Sequence, residues 1–372
     1  AAGCVVDALS PKRAPVRASR YARHHFDYSP HFPVSSLRSA IAQADPRLIV
    51  PCDDRAVMQL LALHRRETVR KTKLARLIET SLGNPSAYPL VMSRQGAIDA
   101  MRAECVRVPQ SMAIESENAL ETALAQIGLP AVIKSDGSWG GDGVCVVHSR
   151  DEAIAAFRKL AFPPPRWRSL ARAVRRRDAH FLREAAAPKP RTISMQKFIA
   201  GHAAASAFAA KDGEIVASIA YDVLVAQGTI GPPNVIRRVD CAQIQDAARK
   251  VARRFGLSGM HGLDFIRDAA GDVHLIEINP RATQGGTLPF GAGRDLPAAL
   301  AASLSLPTCG MRPAIENDIV AFFHRAWQPG GGEAWHPSAH HDIPWDDPAV
   351  LRAMLALPAD ANDNEVRARI YR

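Results

Sequence analysis

Cysteine is sparse and scattered: six residues in 372, at positions 4, 52, 105, 145, 241 and 309, with no C-x-x-C pair. That spacing offers neither a thiolate zinc site nor a disulfide framework, so the thiols are expected to be reduced, as in a cytoplasmic protein. No run of about 18 apolar residues exists, and no segment therefore reads as a membrane span. Aromatic residues make up only 6% of the chain. Tyr221, Trp327, Trp335 and Trp345 read as packing residues or anchors rather than as a stacking platform. There is no internal repeat. The remaining composition, 47% hydrophobic and 23% charged, excludes a collagen-like, low-complexity or wholly disordered chain. The length allows two or three domains, each with its own core.

Acidic residues are the minority charge, 37 against 47 Lys and Arg, for a formal +10. Such a balance suggests a nucleic-acid or membrane partner until it is mapped. Between Arg158 and Arg191 stand eleven basic residues against two acids, Asp178 and Glu184. That stretch holds +9, and the rest of the chain is nearly neutral. It is framed by Pro163-Pro164-Pro165 and Pro188-Lys189-Pro190, between which residues 166–184 could form a helix with arginine nearly all round. No RNA- or DNA-binding motif accompanies it. The insert reads either as a solvated decoration or as a dock for an anionic partner, and a nucleic acid is not expected.

Residues 4–9 look like a strand, and so abrupt a start leads us to expect a strand and a helix ahead of Ala1. Residues 47–52 read as a second short strand. Asp53 and Asp54 then cap a helix through Val57, Leu60, Leu61 and His64, the βα alternation of a parallel sheet. Gly83-Asn84-Pro85 marks a boundary. Ser93 caps a helix carrying Ile98 and Met101, and Ser116 starts another that ends at Gly128. Strands are expected at 131–134, 144–147, 192–199 and 203–210, with a turn at Lys211-Asp212-Gly213. Residues 241–255 and 294–305 read as helices. From about residue 311 Pro, Trp, His and Asp dominate, which predicts an irregular tail. His336, His340, His341 and Asp342 form a metal-like grouping there, interrupted by Pro337.

Two features carry chemistry. Gly137, Gly140, Gly141 and Gly143 fall within seven residues between two strands. There is no G-x-x-x-x-G-K-[ST], and no helix follows, so neither a P-loop nor a Rossmann fingerprint is present. A hairpin flap with exposed backbone N–H groups could instead close over phosphates, with Lys134 beside it. The second feature is the hairpin 261–266/273–278. If it is symmetric about Ala270 and Gly271, Asp264 faces Glu277 and Gly262 faces Asn279, while Ile276 and Ile278 point to the other side. Two carboxylates about 5 Å apart repel, and a hard cation such as Mg²⁺ relieves that. Arg281 continues the same face.

Lys134, the flap and Glu277-Ile278-Asn279-Pro280-Arg281, in that order, resemble the ATP-grasp superfamily, and within it the carbamoyl-phosphate-synthetase-like carboxylate–amine ligases. The similarity runs from about Ser86 to Leu306. It implies an α/β plus α+β chain in which two α+β subdomains grip ATP behind a partial Rossmann-like unit. The expected domains are 1–85, an ATP-grasp domain at 86–310 with a lid near 129–200 and the basic insert at 158–191, and a C-terminal extension at 311–372. By the same resemblance Asp264, Glu277 and Asn279 are the Mg²⁺ ligands, with Mn²⁺ as a substitute. Arg94 and Lys134 contact the ATP phosphates, Gly140 and Gly141 cover them, and Gln196, Lys197 and Ile199 lie along adenine. Gln196 or Lys197 stands where the family has a glutamate, and Ala203 stands where it has a ribose-binding acid. Lys134 and Arg281 are the catalytic candidates, with Arg237 or Arg238 as an additional contact to phosphate or substrate.

The implied activity is ATP- and Mg²⁺-dependent activation of a carboxylate as an acylphosphate for attack by an amine or similar nucleophile. A bicarbonate-activating carboxylase or carbamoyl-phosphate-type enzyme, and a nucleotide-binding module without turnover, are the alternatives. Expected partners are small-molecule carboxylate and amine substrates and no membrane, with a homodimer left open.

Overall fold

The computed structural model describes residues 3–69, 71–137, 143–161, 167, 169–171, 174, 191–228, 231–307, 312–328, 331–332, 335, 337–357, 361 and 363–370. Gly140, Gly141, His336 and nearly all of the basic insert lie outside them.

The N-terminal unit holds a parallel pair, β1 (Val6–Ser10) and β2 (Ala22–Asp27), with helices Pro33–Ala44, Asp54–Thr68 and Lys73–Leu82. Leu60, Leu63 and Ile78 knit the helices into one core. Asp53 caps the second helix, its side chain accepting from the Ala56 N–H at 2.7 Å, a contact that stabilises by about 1 kcal/mol. The strand expected at 47–52 does not form. The Ile49 N–H donates to Ser81 Oγ, Pro51 has no N–H to give, and the Pro51 carbonyl accepts from the Ala282 N–H. This segment is extended but tied to a helix of its own unit and, through Ala282, to one other unit instead of to a sheet.

The second unit is an antiparallel sheet of β3 (Ser111–Ile114), β4 (Ala131–Ser135), β5 (Val144–Val147) and β6 (Ile193–Lys197), in the order β3-β6-β4-β5. Helices Glu117–Ile127 and Arg150–Ala161 cover one face, burying Leu120, Ile133 and Met195 completely. Ser116 and Gly128 bound the first of them as its cap residues. β4 and β5 pair around the glycine loop, so that loop does join strand to strand.

The third unit is a seven-stranded sheet of β7 (Gly201–Lys211), β8 (Glu214–Ala226), β9 (Pro233–Val239), β10 (Gly259–Asp268), β11 (Val273–Asn279), β12 (Ile319–Phe322) and β13 (His340–Asp342). Its order is β11-β10-β7-β8-β9-β12-β13. Alternation along β7 sends Phe208 and Ala210 toward helix Ala242–Phe255, and Ala207 and Ala209 toward helix Leu296–Ser303. Burying Phe208, Phe255 and Phe265 contributes about 2–3 kcal/mol each.

The tail is not irregular throughout. β12 pairs antiparallel with β9, and β13 runs parallel to β12, extending the main sheet. His340, His341 and Asp342 are successive residues of β13, so their side chains alternate faces and do not converge. His341 instead packs edge-on against Trp327, at 4.9 Å between ring centroids. The tail then returns to the N-terminal unit, where Ser19 Oγ donates to Asp347 Oδ2 at 2.6 Å.

Candidate active site

The hairpin β10–β11 sets the chemistry. Asp264 pairs with Glu277 and Gly262 with Asn279, as hairpin counting predicts. Nearer the turn the register slips by one: Phe265 faces Leu275, and Ile276 has no opposite residue. This bulge reverses the phase of the strand. Val273 and Leu275 are in the core and so is Ile278, three positions on. Ile276 and Ile278 therefore do not share one face, contrary to strict alternation: Ile278 belongs to the core and Ile276 lines the cleft.

That cleft, about 1350 Å³, brings together Arg94, Lys134, Gln196, Lys197, Ile199, Ala203, Asp264, Glu277, Asn279 and Arg281. Lys134 enters from β4, with only 7% of its surface exposed, and Nζ donates to the Ile276 carbonyl at 3.2 Å. Burial pushes its pKa down to about 8, Arg94 pushes the same way, and Glu277 and Asp264 oppose them. Arg94, the first residue of helix Arg94–Ala103 after the Ser93 cap, joins the small sheet to the large one. Its Nη2 donates to Glu277 Oε1 at 2.8 Å and its Nη1 to the Ser135 carbonyl at 3.0 Å.

Asn279 Nδ2 donates to Asp264 Oδ2 at 2.9 Å. Even so, burial and the facing Glu277 push the Asp264 pKa up to about 6; the Asn279 bond, Arg281 and Lys134 hold it from rising further. A carboxylate pair with an amide oxygen beside it is the donor set that suits a hard divalent cation, which would remove the cause of that rise. Residues Asp264, Glu277 and Asn279 fit Mg²⁺ on this ground.

Arg281 is fixed from three directions. Nε pairs with Asp54 Oδ2 at 3.0 Å, Nη2 donates to Asn279 Oδ1 at 3.2 Å, and Nη1 reaches the Ala282 carbonyl at 3.4 Å. Asp54 belongs to the N-terminal unit and was legible only as a helix start. Asp136, Tyr221 and Arg325 are further lining or adjoining residues that sequence reasoning did not single out for this role. Tyr221, fully buried behind Asp264, has its phenol pKa raised by desolvation first and by that carboxylate second. Burial likewise raises Asp136, whose Oδ1 accepts from the Arg94 N–H at 3.2 Å.

Arg237 and Arg238 are not part of the cleft lining. Arg237 lies over the Trp335 ring at 5.8 Å, and Arg238 pairs with Asp318 while lying over Phe290 at 5.3 Å. Being next to a helix start in sequence does not decide which face of β9 a side chain takes.

Comparison with known proteins agrees with this geometry. Residues 93–289, just over half of the chain, match the family model of the carbamoyl-phosphate synthase L chain, ATP binding domain. Acetyl-CoA carboxylase 1 of Arabidopsis thaliana is 23% identical over 225 residues, 59% of this chain and 9% of that protein. The formate-dependent phosphoribosylglycinamide formyltransferase of Bordetella parapertussis is 35% identical over 127 residues, 33% of this chain and 29% of that protein. The chain thus spans less than a third of either curated relative. Among solved structures, the biotin carboxylase domain of Hydrogenobacter thermophilus 2-oxoglutarate carboxylase, in complex with MgADP, ADP and bicarbonate, superposes with a TM-score of 0.59 at 13% identity. That match covers 84% of this chain and 66% of the other and shows a shared fold. The fold is ATP-grasp, and the chain belongs to the family of the carbamoyl-phosphate synthase L chain ATP-binding domain.

Proposed function

We propose that the protein is an ATP- and Mg²⁺-dependent ligase that activates a carboxylate as an acylphosphate for attack by an amine or similar nucleophile. One observation carries the reading: Asp264 and Glu277 face each other across strands while Lys134, Arg94 and Arg281 converge on the same cleft. Phosphoryl transfer needs positioning and charge neutralisation more than a protein nucleophile, and these residues supply both.

Asp264, Glu277 and Asn279 would hold Mg²⁺, or Mn²⁺ in its place. Bound there, the ion supplies Lewis-acid neutralisation of phosphate charge. Lys134 places a desolvated cation against phosphate oxygens, where low dielectric strengthens it. Arg94, which pairs with Glu277 at 2.8 Å, would offer its guanidinium to the phosphates. Arg281, held by Asp54 and Asn279, presents its remaining N–H groups to the transferring group and the acylphosphate. Gln196, Lys197 and Ile199 line the base end.

A second reading takes bicarbonate as the carboxylate, on the strength of the carboxylases among the relatives. ADP release assayed with pooled amino acids, with and without bicarbonate, tests both. Release that requires particular amino acids supports the ligase. Release with bicarbonate alone moves the assignment to a carboxylase, and nucleotide binding without turnover in any arm refutes both.

A further inference from the structure

A surface helix ordinarily turns its apolar stripe toward the protein and its charged face toward water. One stretch of this chain does the reverse. Residues 167, 169–171 and 174, which lie in the chain between helix Arg150–Ala161 and β6, are helical. Trp167, Leu170 and Val174 are 65%, 54% and 71% exposed, and Ala171 is exposed with them. Ser169 is the buried one, at 2%. Positions i, i+3, i+4 and i+7 share one helical arc of about 100°, and Ser169 stands about 150° from the middle of it. The serine side is therefore the seat on the protein, and the side carrying Trp167, Leu170 and Val174 faces away. Single apolar residues on a surface need no explanation, but a continuous stripe about two turns long marks a contact.

Charge identifies the partner. Between Arg158 and Arg191 the sequence carries eleven basic residues against two acids, and Arg166, Arg168, Arg172, Arg175 and Arg176 stand beside or among the stripe residues. A nucleic acid would use the arginines and have no use for Trp167, Leu170 and Val174. A groove on a protein partner has a rim of limited length, whereas a net +9 over so short a stretch matches an extended anionic surface. An apolar stripe that sinks into the headgroup–acyl boundary, with basic residues that meet lipid phosphates, is the pair of signals by which an interfacial helix binds. Tryptophan suits that boundary because its ring is amphipathic.

We propose that Trp167, Leu170, Ala171 and Val174 dock the protein on a membrane surface that carries anionic lipid, with the helix lying in the plane of the interface. No helix among the described residues is long and apolar enough to cross a membrane, and the contact proposed is peripheral. The sequence alone points to no membrane partner, because a charge count does not reveal which side of a helix is exposed. The inference goes beyond the ligase reading and does not depend on it.

The test is co-sedimentation of the full chain with vesicles of phosphatidylcholine alone and of equimolar phosphatidylcholine and phosphatidylglycerol, at physiological ionic strength. Wild type is compared with a variant carrying Trp167→Ser, Leu170→Ser and Val174→Ser, and with one carrying Arg168→Gln, Arg172→Gln and Arg175→Gln. Wild type should bind the mixed vesicles about tenfold or more tighter than the neutral ones, and the serine variant should lose about tenfold or more on the mixed vesicles. The glutamine variant should lose much of the preference for anionic lipid. A thermal melt matching wild type shows that each variant is folded. Equal binding of wild type and the serine variant means that charge alone makes the contact and overturns the proposal. Equal binding of wild type to both kinds of vesicle overturns it as well. Wild type left in the supernatant with both also overturns it, and passes the stripe to a groove on a protein partner.

Discussion

Asp54 Oδ2 and Arg281 Nε meet at 3.0 Å, an ion pair between the start of a helix in the N-terminal unit and the loop that follows β11. Both side chains are only 23% exposed, and Asp54→Asn keeps an acceptor oxygen for the guanidinium while removing the charge of the pair. Its value is in aiming Arg281. Asp54→Asn should lower kcat for ADP release by about ten- to a hundredfold with little change in Tm, and Asp54→Glu should recover part of the loss. Steady-state kinetics beside a thermal melt decides this; an unchanged kcat would show that Arg281 needs no such support.

Glu277 is the carboxylate that both faces Asp264 and pairs with Arg94. Glu277→Gln keeps the shape and removes the charge. We expect it to abolish ADP release while leaving the circular dichroism spectrum intact. The Mg²⁺-dependent rise in Tm with ADP should disappear as well. Retained turnover in this variant would sink the metal assignment.

His261 predicts an acid limb to stability. It is buried, stacked on Phe208 at 5.3 Å, and burial pushes its pKa down to about 4 against an ordinary 6.5. The bond between Nε2 and the Ser258 carbonyl, at 2.8 Å, favours the proton but offsets only part of the burial. The neutral ring is therefore preferred in the fold. Its contribution is complete above pH about 6.5 and is lost as pH falls toward 4, on the order of 3 kcal/mol at most. Urea melts across that window should show a steeper decline for wild type than for His261→Phe.

Gly285 tests the packing behind the centre. A Cβ there would stand 2.6 Å from Tyr221 Cε1, in a ring held by the main sheet. Gly285→Ala should cost about 1–3 kcal/mol through overpacking. It should also reduce activity, because Tyr221 backs Asp264. A variant with wild-type stability and rate would mean that the loop simply moves aside.

The carboxylate pair was legible because a hairpin is countable: a turn of known centre fixes which residues oppose. The bulge was not, since one unpaired residue leaves no mark in an alternating Ile-Glu-Ile-Asn run. Caps were equally legible, and Asp53, Ser93 and Ser116 all accept the predicted helix N–H groups. Residues 47–52 misled for a physical reason: an apolar run suits a strand, but Ile49 and Pro51 have their hydrogen bonds elsewhere. The tail strands escaped notice because four residues, Ile319–Phe322, are too few to show a period. Asp54 was visible as a helix start, yet no local pattern announces a partner more than two hundred residues away.

The unpaired Ile276 gives this hairpin an uneven tolerance to changes in length. Residues inserted near Ala270 and Gly271 lengthen a solvent-facing loop, and the strands need not respond. A residue inserted between Leu275 and Glu277 would turn Glu277 toward Phe265 and the core unless a second irregularity absorbed it. Lys134 would then lose the carbonyl it rests on. Indels in relatives of this chain are accordingly expected at the tip of the hairpin and not within its last turnward step before the acid.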